Sequence, residues 1–216
     1  MLRQLFHKRI LVLILCLTTF MYSCRQSSEK QLPVYNPSDF NQALVDKSLS
    51  KTNKDHRVAD FKLINQNGKA VTQDDYRDKI YVTDFFFTSC TSICPIMTGN
   101  MVKIQETFLN NNDIMFLSLS VTPDIDSISV LRDYADKKGV IDVKWNVTTG
   151  EKKHIYELAR KSYFAVVEQG DGELQDFIHT PNFILVDKKK RIRGVYDGTD
   201  NKEIEHLIKD INILKN

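Results

Sequence analysis

Residues 79–87 read KIYVTDFFF, and shortly after this run come two cysteines four positions apart with a proline directly behind the second: Cys90, Cys94 and Pro95. No other part of the chain constrains the fold as strongly. A β-branched and aromatic run of this length suits a strand covered on both faces. Proline is favoured in the first turn of a helix, where its missing N–H costs nothing. Behind it Met97, Met101, Ile104 and Phe108 keep an apolar stripe at helical spacing. A central strand therefore delivers Cys90 into a short loop, and Cys94 stands where a helix begins. The free N–H groups and positive dipole end of such a helix stabilise a thiolate.

Around this unit the pattern alternates between strand and helix. Residues 58–64 alternate apolar and polar ahead of an Asn67-Gly68 turn, and residues 114–121 (IMFLSLSV) read as another strand. Asp126 is expected to cap a helix through Lys138, with Ile128, Leu131, Tyr134 and Ala135 inward and Gly139 as its stop. Thr149 is expected to cap a helix carrying Ile155, Leu158 and Ala159. Residues 183–186 and 192–196 form two strands joined by the charged loop 187–191, and a last helix from Asp200 places Ile204, Leu207, Ile208 and Ile211 on one face. The expectation is an α/β fold with a central sheet flanked by helices.

The chain carries 30 Lys and Arg against 28 Asp and Glu, and Arg3, Lys8 and Arg9 fall within its first 23 residues. What remains is close to neutral, which excludes a basic nucleic-acid binder. Residues 1–9 are cationic and residues 10–22 an uncharged apolar run, shorter than the roughly 20 residues a spanning helix needs. A charged start, a short apolar core and a small residue at Ser23 read as an export signal. Cys24, directly after, resembles the cysteine of a bacterial lipoprotein signal that is lipidated and becomes the first residue of the mature protein, although Met21 and Tyr22 depart from the usual lipobox. The expected organisation is a signal over 1–23, a polar tether over 24–55, and a domain over 56–216, placed on the periplasmic face of the cell envelope. Cys16 leaves with the signal and Cys24 is spent on lipid. Cys90 and Cys94 remain, in a compartment where disulfides persist.

From Cys90 to Pro95 the chain resembles the Sco (SenC) family, thioredoxin-fold proteins that serve copper delivery to respiratory oxidase. The family motif is Cys-x-x-x-Cys-Pro with a distant His before the last hairpin. Here that His is His179, in Phe177-Ile178-His179-Thr180. Ser120-Val121-Thr122-Pro123-Asp124-Ile125-Asp126 and Tyr196-Asp197-Gly198 support the match, which covers about residues 56–214. The resemblance implies a thioredoxin-like fold with a central mixed sheet. It also implies copper, Cu(I) or Cu(II), held by Cys90, Cys94 and His179, with the copper-containing subunit of a respiratory oxidase as partner and another thiol–disulfide or copper-donor protein upstream. Two positions depart from the family pattern. Ile178 and Thr122 stand where the family usually has Asp, and an acid beside the His would be a natural orienting partner for it. Two further registers resemble thioredoxin itself. Asp84 occupies the position of its buried carboxyl, a candidate proton acceptor, and Pro181 that of its cis-proline facing the redox pair.

Thiol–disulfide exchange at Cys90 and Cys94 is therefore the alternative to copper delivery. A peroxidase reading of Thr91-Ser92-Ile93-Cys94 lacks the expected proline, since position 87 is Phe. A structural zinc site lacks a fourth ligand. Met97 and Met101 read as core rather than copper ligands, Asp84 as a buried carboxyl with a raised pKa, and His56, His154 and His206 as solvated. His7 leaves with the signal. Residues 169–176 read as a mobile lead-in to His179.

Overall fold

The expected strand after Tyr76 is β3 (Ile80–Phe86), buried along its whole length, at the heart of a seven-stranded sheet. The computed structural model describes residues 31–40, 56–165, 178 and 180–215. Cys24, the export signal, residues 41–55, His179 and the 169–176 lead-in lie outside the described residues. Among the described residues no helix is long and apolar enough to cross a membrane.

The other strands are β1 (Lys62–Asn65), β2 (Ala70–Thr72), β4 (Ile114–Ser120), β5 (Trp145–Thr149), β6 (Asn182–Val186) and β7 (Ile192–Asp197), in the order β2-β1-β5-β4-β3-β6-β7. β3, β4 and β5 run parallel at the centre; β1 with β2, and β6 with β7, add antiparallel flanks. The sheet is mixed, as expected. Helices α1 (Cys94–Thr107), α2 (Ile128–Lys138) and α4 (Asn201–Lys215) cover one face through Met97, Met101, Leu131, Ala135, Ile204, Leu207 and Ile211. Met97 and Met101 are thus core. On the other face lie α3 (Lys152–Glu157), continued by a π-helical turn Leu158–Ser162, and the turn at Tyr76.

Several expectations are corrected. α2 is capped by Ser127, whose hydroxyl accepts from the Val130 N–H; Asp126 is instead wholly buried and serves the loops beside the cysteines. Gly139 closes that helix in the left-handed conformation, as expected. Ile128 is exposed rather than inward. Thr149 ends β5, a strand hidden from pattern reading because its Asn and Thr are buried with hydrogen-bond partners of their own. His56 is buried rather than solvated, its Nε2 2.8 Å from the Ser162 carbonyl.

Part of the expected tether also packs on the domain. Leu32 joins the core, Phe40 stacks on Phe164 at 5.1 Å, and the Tyr35 N–H donates to the Ile192 carbonyl. Arg193 donates to the carbonyls of Leu32 and Pro33. These contacts are invisible to periodicity because residues 31–40 form no long element.

A candidate dithiol and metal site at the end of the central strand

β3 ends at Phe86, and Phe87–Cys90 turn back on themselves through a Cys90 N–H to Phe87 carbonyl bond of 3.2 Å. α1 begins at Cys94, with Pro95 in its first turn as expected. Both thiols are free and buried, Cys90 at 8 % and Cys94 at 4 % exposure. They are close enough to hydrogen-bond each other, yet their acidities separate. Burial acts to raise Cys90, but hydrogen bonds from the Cys94 thiol, from the Cys94 and Ser92 N–H groups and from the Ser92 hydroxyl outweigh it, and its pKa falls to about 7. Burial pushes Cys94 up to about 12, with the bond to Cys90 acting in the same direction. The helix start therefore activates the thiol in the loop ahead of it, not the one on its own first residue, because the free N–H groups point back toward Cys90.

Behind the pair stands Asp84. Burial pushes its carboxyl up to about 7, against the stabilising bond it accepts from the Ser118 hydroxyl at 2.5 Å. Ser118 in turn accepts from Trp145 Nε1 at 2.9 Å. Beside the pair, Thr98 donates to the Cys94 carbonyl at 2.8 Å and lies 2.6 Å from the Tyr134 hydroxyl. Thr98 has one proton, given to that carbonyl, so Tyr134 is the donor between them. Cys90, Cys94, Thr88, Pro95, Val130, Tyr134, Lys137 and Lys138 line a cleft of ≈ 260 Å³ that Asp133 completes. Ser118, Trp145 and Tyr134 were not singled out from sequence for this site. Ser118, which with Ser120 puts hydroxyls into an otherwise apolar strand, was the available signal.

β6 runs antiparallel to β3, with Val186 opposite Tyr81 and Ile184 opposite Thr83. The start of β6 thus comes level with the end of β3, and the segment entering it arrives at the same edge of the sheet as the cysteines. Ile178 and Thr180, on either side of His179 in sequence, are both buried, and Ile178 packs in the same core cluster as Phe85. An apolar residue at that position fits its surroundings. The Thr180–Pro181 bond is trans, since no described peptide is cis. The expected cis-proline is therefore absent. Its carbonyl is held in a trans backbone by the Gly198 N–H at 2.7 Å, and the Asn182 N–H caps back onto the Thr180 hydroxyl. A trans bond is the default for proline where nothing compels otherwise. Among the described residues no three His, Cys, Asp or Glu side chains gather as a metal-holding group; the pair supplies two soft donors.

The family model for SCO1/SenC matches residues 50–215. The SCO1 protein homolog of Bacillus subtilis (strain 168) is 32% identical over 158 residues, spanning 72% of this chain and 81% of the relative. Among solved structures, a SCO1/SenC family lipoprotein from Bacillus anthracis str. Ames aligns with 30% identity and a TM-score of 0.67, over 77% of this chain and 99% of that one. BsSco, described as a member of the Sco family of cytochrome c oxidase assembly proteins with a disulfide switch, aligns with 30% identity and a TM-score of 0.63, over 75% and 95%. Copper-bound ScoI of Arabidopsis thaliana, at 23% identity and a TM-score of 0.57 over 72% and 98%, shares the fold. The thioredoxin-like arrangement expected from the sequence is the one these structures have in common with this chain.

Proposed function

The chain belongs to the SCO1/SenC family, and on that premise we propose that it is a copper metallochaperone of the cell envelope, anchored through lipid on Cys24. In this reading Cys90, Cys94 and His179 hold copper as cargo and deliver it to, or prepare, the copper centre of a respiratory cytochrome oxidase. The observation that carries the reading is the meeting of two free thiols at the sheet edge to which the β3–β6 register also brings the segment on either side of residue 179. Two sulfurs and an imidazole make a soft donor set suited to copper, and thiolates select Cu(I). The copper-bound Arabidopsis relative and the assembly role given for BsSco agree with it. With three protein ligands, a position stays open through which a partner's cysteine can take the ion.

One observation favours a second reading, thiol–disulfide exchange: the split acidity of the pair. Cys90, half ionised near neutral pH, would attack one sulfur of a partner disulfide and release the other as a thiolate. Cys94 would then attack Cys90 in the mixed disulfide, giving its proton to Asp84 and leaving the partner reduced and this chain oxidised. The two readings part on His179. Titration of the reduced protein with Cu(I) and Cu(II) should show that Cys90→Ala, Cys94→Ala and His179→Ala each weaken binding and change the coordination spectrum. An unaltered His179→Ala beside two inactive cysteine variants rejects the three-ligand site and leaves exchange as the better account.

A further inference from the structure

β6 and β7 meet in a hairpin whose tip, residues 187–191, lies at the end of the sheet where β3 begins, since Val186 pairs with Tyr81. The cysteines lie where β3 ends. The seven residues of β3 separate the two ends by roughly 23 Å at about 3.3 Å per residue. The hairpin end is also where the chain enters the domain. Arg193, beside the last β6–β7 rung, holds the carbonyls of Leu32 and Pro33, the Tyr35 N–H reaches Ile192, and the Val58 N–H reaches Lys190. Eight chain steps separate Leu32 from Cys24, which can span at most roughly 28 Å when fully extended. A lipid on Cys24 therefore keeps this end close to the bilayer.

The same end carries a small excess of basic residues. Arg57, Arg77, Lys188, Lys189 and Lys190 line a cleft of ≈ 370 Å³ with Asp60, Asp74 and Asp78. Three of the cations pair with acids at the surface: Lys190 with Asp60 at 2.8 Å, Arg77 with Asp74 at 2.5 Å and, beside the cleft, Lys188 with Asp113 at 2.8 Å. Lys188 and Lys189 are exposed. One lipid anchor and a basic surface are the two signals that together give stable membrane attachment.

We infer that the β6–β7 hairpin end of the sheet is a membrane-facing surface that rests on anionic lipid headgroups and holds Cys90 and Cys94 at the opposite end, facing away from the bilayer. This rests on the proposed anchoring through Cys24. It deepens the functional reading, because the partner's metal site must then stand tens of ångströms off the membrane to meet the thiols. Copper centres or disulfides lying at the lipid surface would be out of reach.

The test uses the full acylated chain reconstituted in vesicles of phosphatidylcholine alone or with phosphatidylglycerol. A photo-crosslinking benzoylphenylalanine replaces either Lys189 at the hairpin or Ile96, which is 53 % exposed beside the cysteines. Lipid adduct should form several-fold more at position 189 than at 96, only with phosphatidylglycerol, and should fall at about 1 M salt, where the screening length is about 3 Å. Arg77→Gln with Lys188→Gln, which breaks only exposed ion pairs, should lower the adduct at 189 several-fold. Equal adduct at both positions, or more at 96, overturns the orientation in an anchored protein. Adduct indifferent to lipid charge and to the double substitution overturns the headgroup contact. Protein recovered unacylated in the soluble fraction overturns the anchoring and, with it, the approach.

Discussion

Asp126 accepts hydrogen bonds from both the backbone N–H and the hydroxyl of Thr88, at 3.2 and 2.5 Å, and so ties the loop that opens α2 to the loop that carries Cys90. Ser120 and Thr122 donate to the same carboxylate. A wholly buried carboxylate collecting donors from two loops holds both in place.

Removing it leaves those donors buried without an acceptor. Asp126→Ala is expected to cost on the order of 3 kcal/mol in urea denaturation and to speed alkylation of Cys90 by loosening its loop. Asp126→Asn keeps one acceptor oxygen and should cost less. A denaturation midpoint equal to that of the parent protein would show that the two loops hold their positions without it.

The thiols should react unequally. In the reduced, copper-free protein, alkylation of Cys90 should rise with a midpoint at about pH 7, while Cys94, pushed up to about 12, stays unmodified through the neutral range. Mass spectrometry of peptides after short iodoacetamide pulses separates the two. Equal rates at pH 7, or faster modification of Cys94, would contradict the hydrogen-bond pattern around Cys90.

How far all this was legible in the sequence depended on whether one pattern controlled a segment. β3, α1, the closing hairpin and α4 were readable because a single periodicity or an apolar run dominates each. β5 was not: Asn146 donates to the Tyr76 hydroxyl and Thr148 to the Ser118 carbonyl, so its polar residues are buried by tertiary partners that no local pattern announces. Asp126 was the expected helix cap, but it is recruited by Thr88 from another strand's loop, and Ser127 caps the helix in its place. The order of acidity within the cysteine pair depended on which thiol the Ser92 and Cys94 N–H groups face, a matter of loop geometry. The trans Pro181 shows the limit of register alone, since the position matched and the isomer did not.

Asp84 makes stability depend on pH. Its folded pKa is raised by burial to about 7 from an ordinary 3.8, so the folded state holds a proton that the unfolded chain has lost. The associated stability is fully present below about pH 4 and is lost as pH rises through 7. Taken alone, the shift is worth on the order of 4 kcal/mol. Asp84→Asn, neutral throughout, should remove this loss, so the variant gains on the parent protein between pH 5 and pH 8 in parallel urea series. Parallel pH profiles for the two proteins would mean that the carboxyl ionises as readily folded as unfolded.

Gly198 bridges the segment entering β6 and the helix that begins at Cys94. Its N–H donates to the Pro181 carbonyl at 2.7 Å, at the entrance to β6, and its carbonyl accepts from the buried Asn100 side chain on α1, the helix that begins at Cys94. There is no room for a side chain, because a Cβ here would lie 2.8 Å from the Phe183 ring and 2.9 Å from the Pro181 carbonyl oxygen. Gly198→Ala must push the segment entering β6 away from α1, at a cost of roughly 1–3 kcal/mol from overpacking. If His179 closes the copper site from that segment, reduced Gly198→Ala should bind copper several-fold more weakly while the pH midpoint for Cys90 alkylation stays in place, since the bonds that set it come from Ser92 and Cys94. Stability loss with unchanged copper affinity would mean that no ligand comes from the segment entering β6, and that copper, where it binds, is held by the cysteines alone.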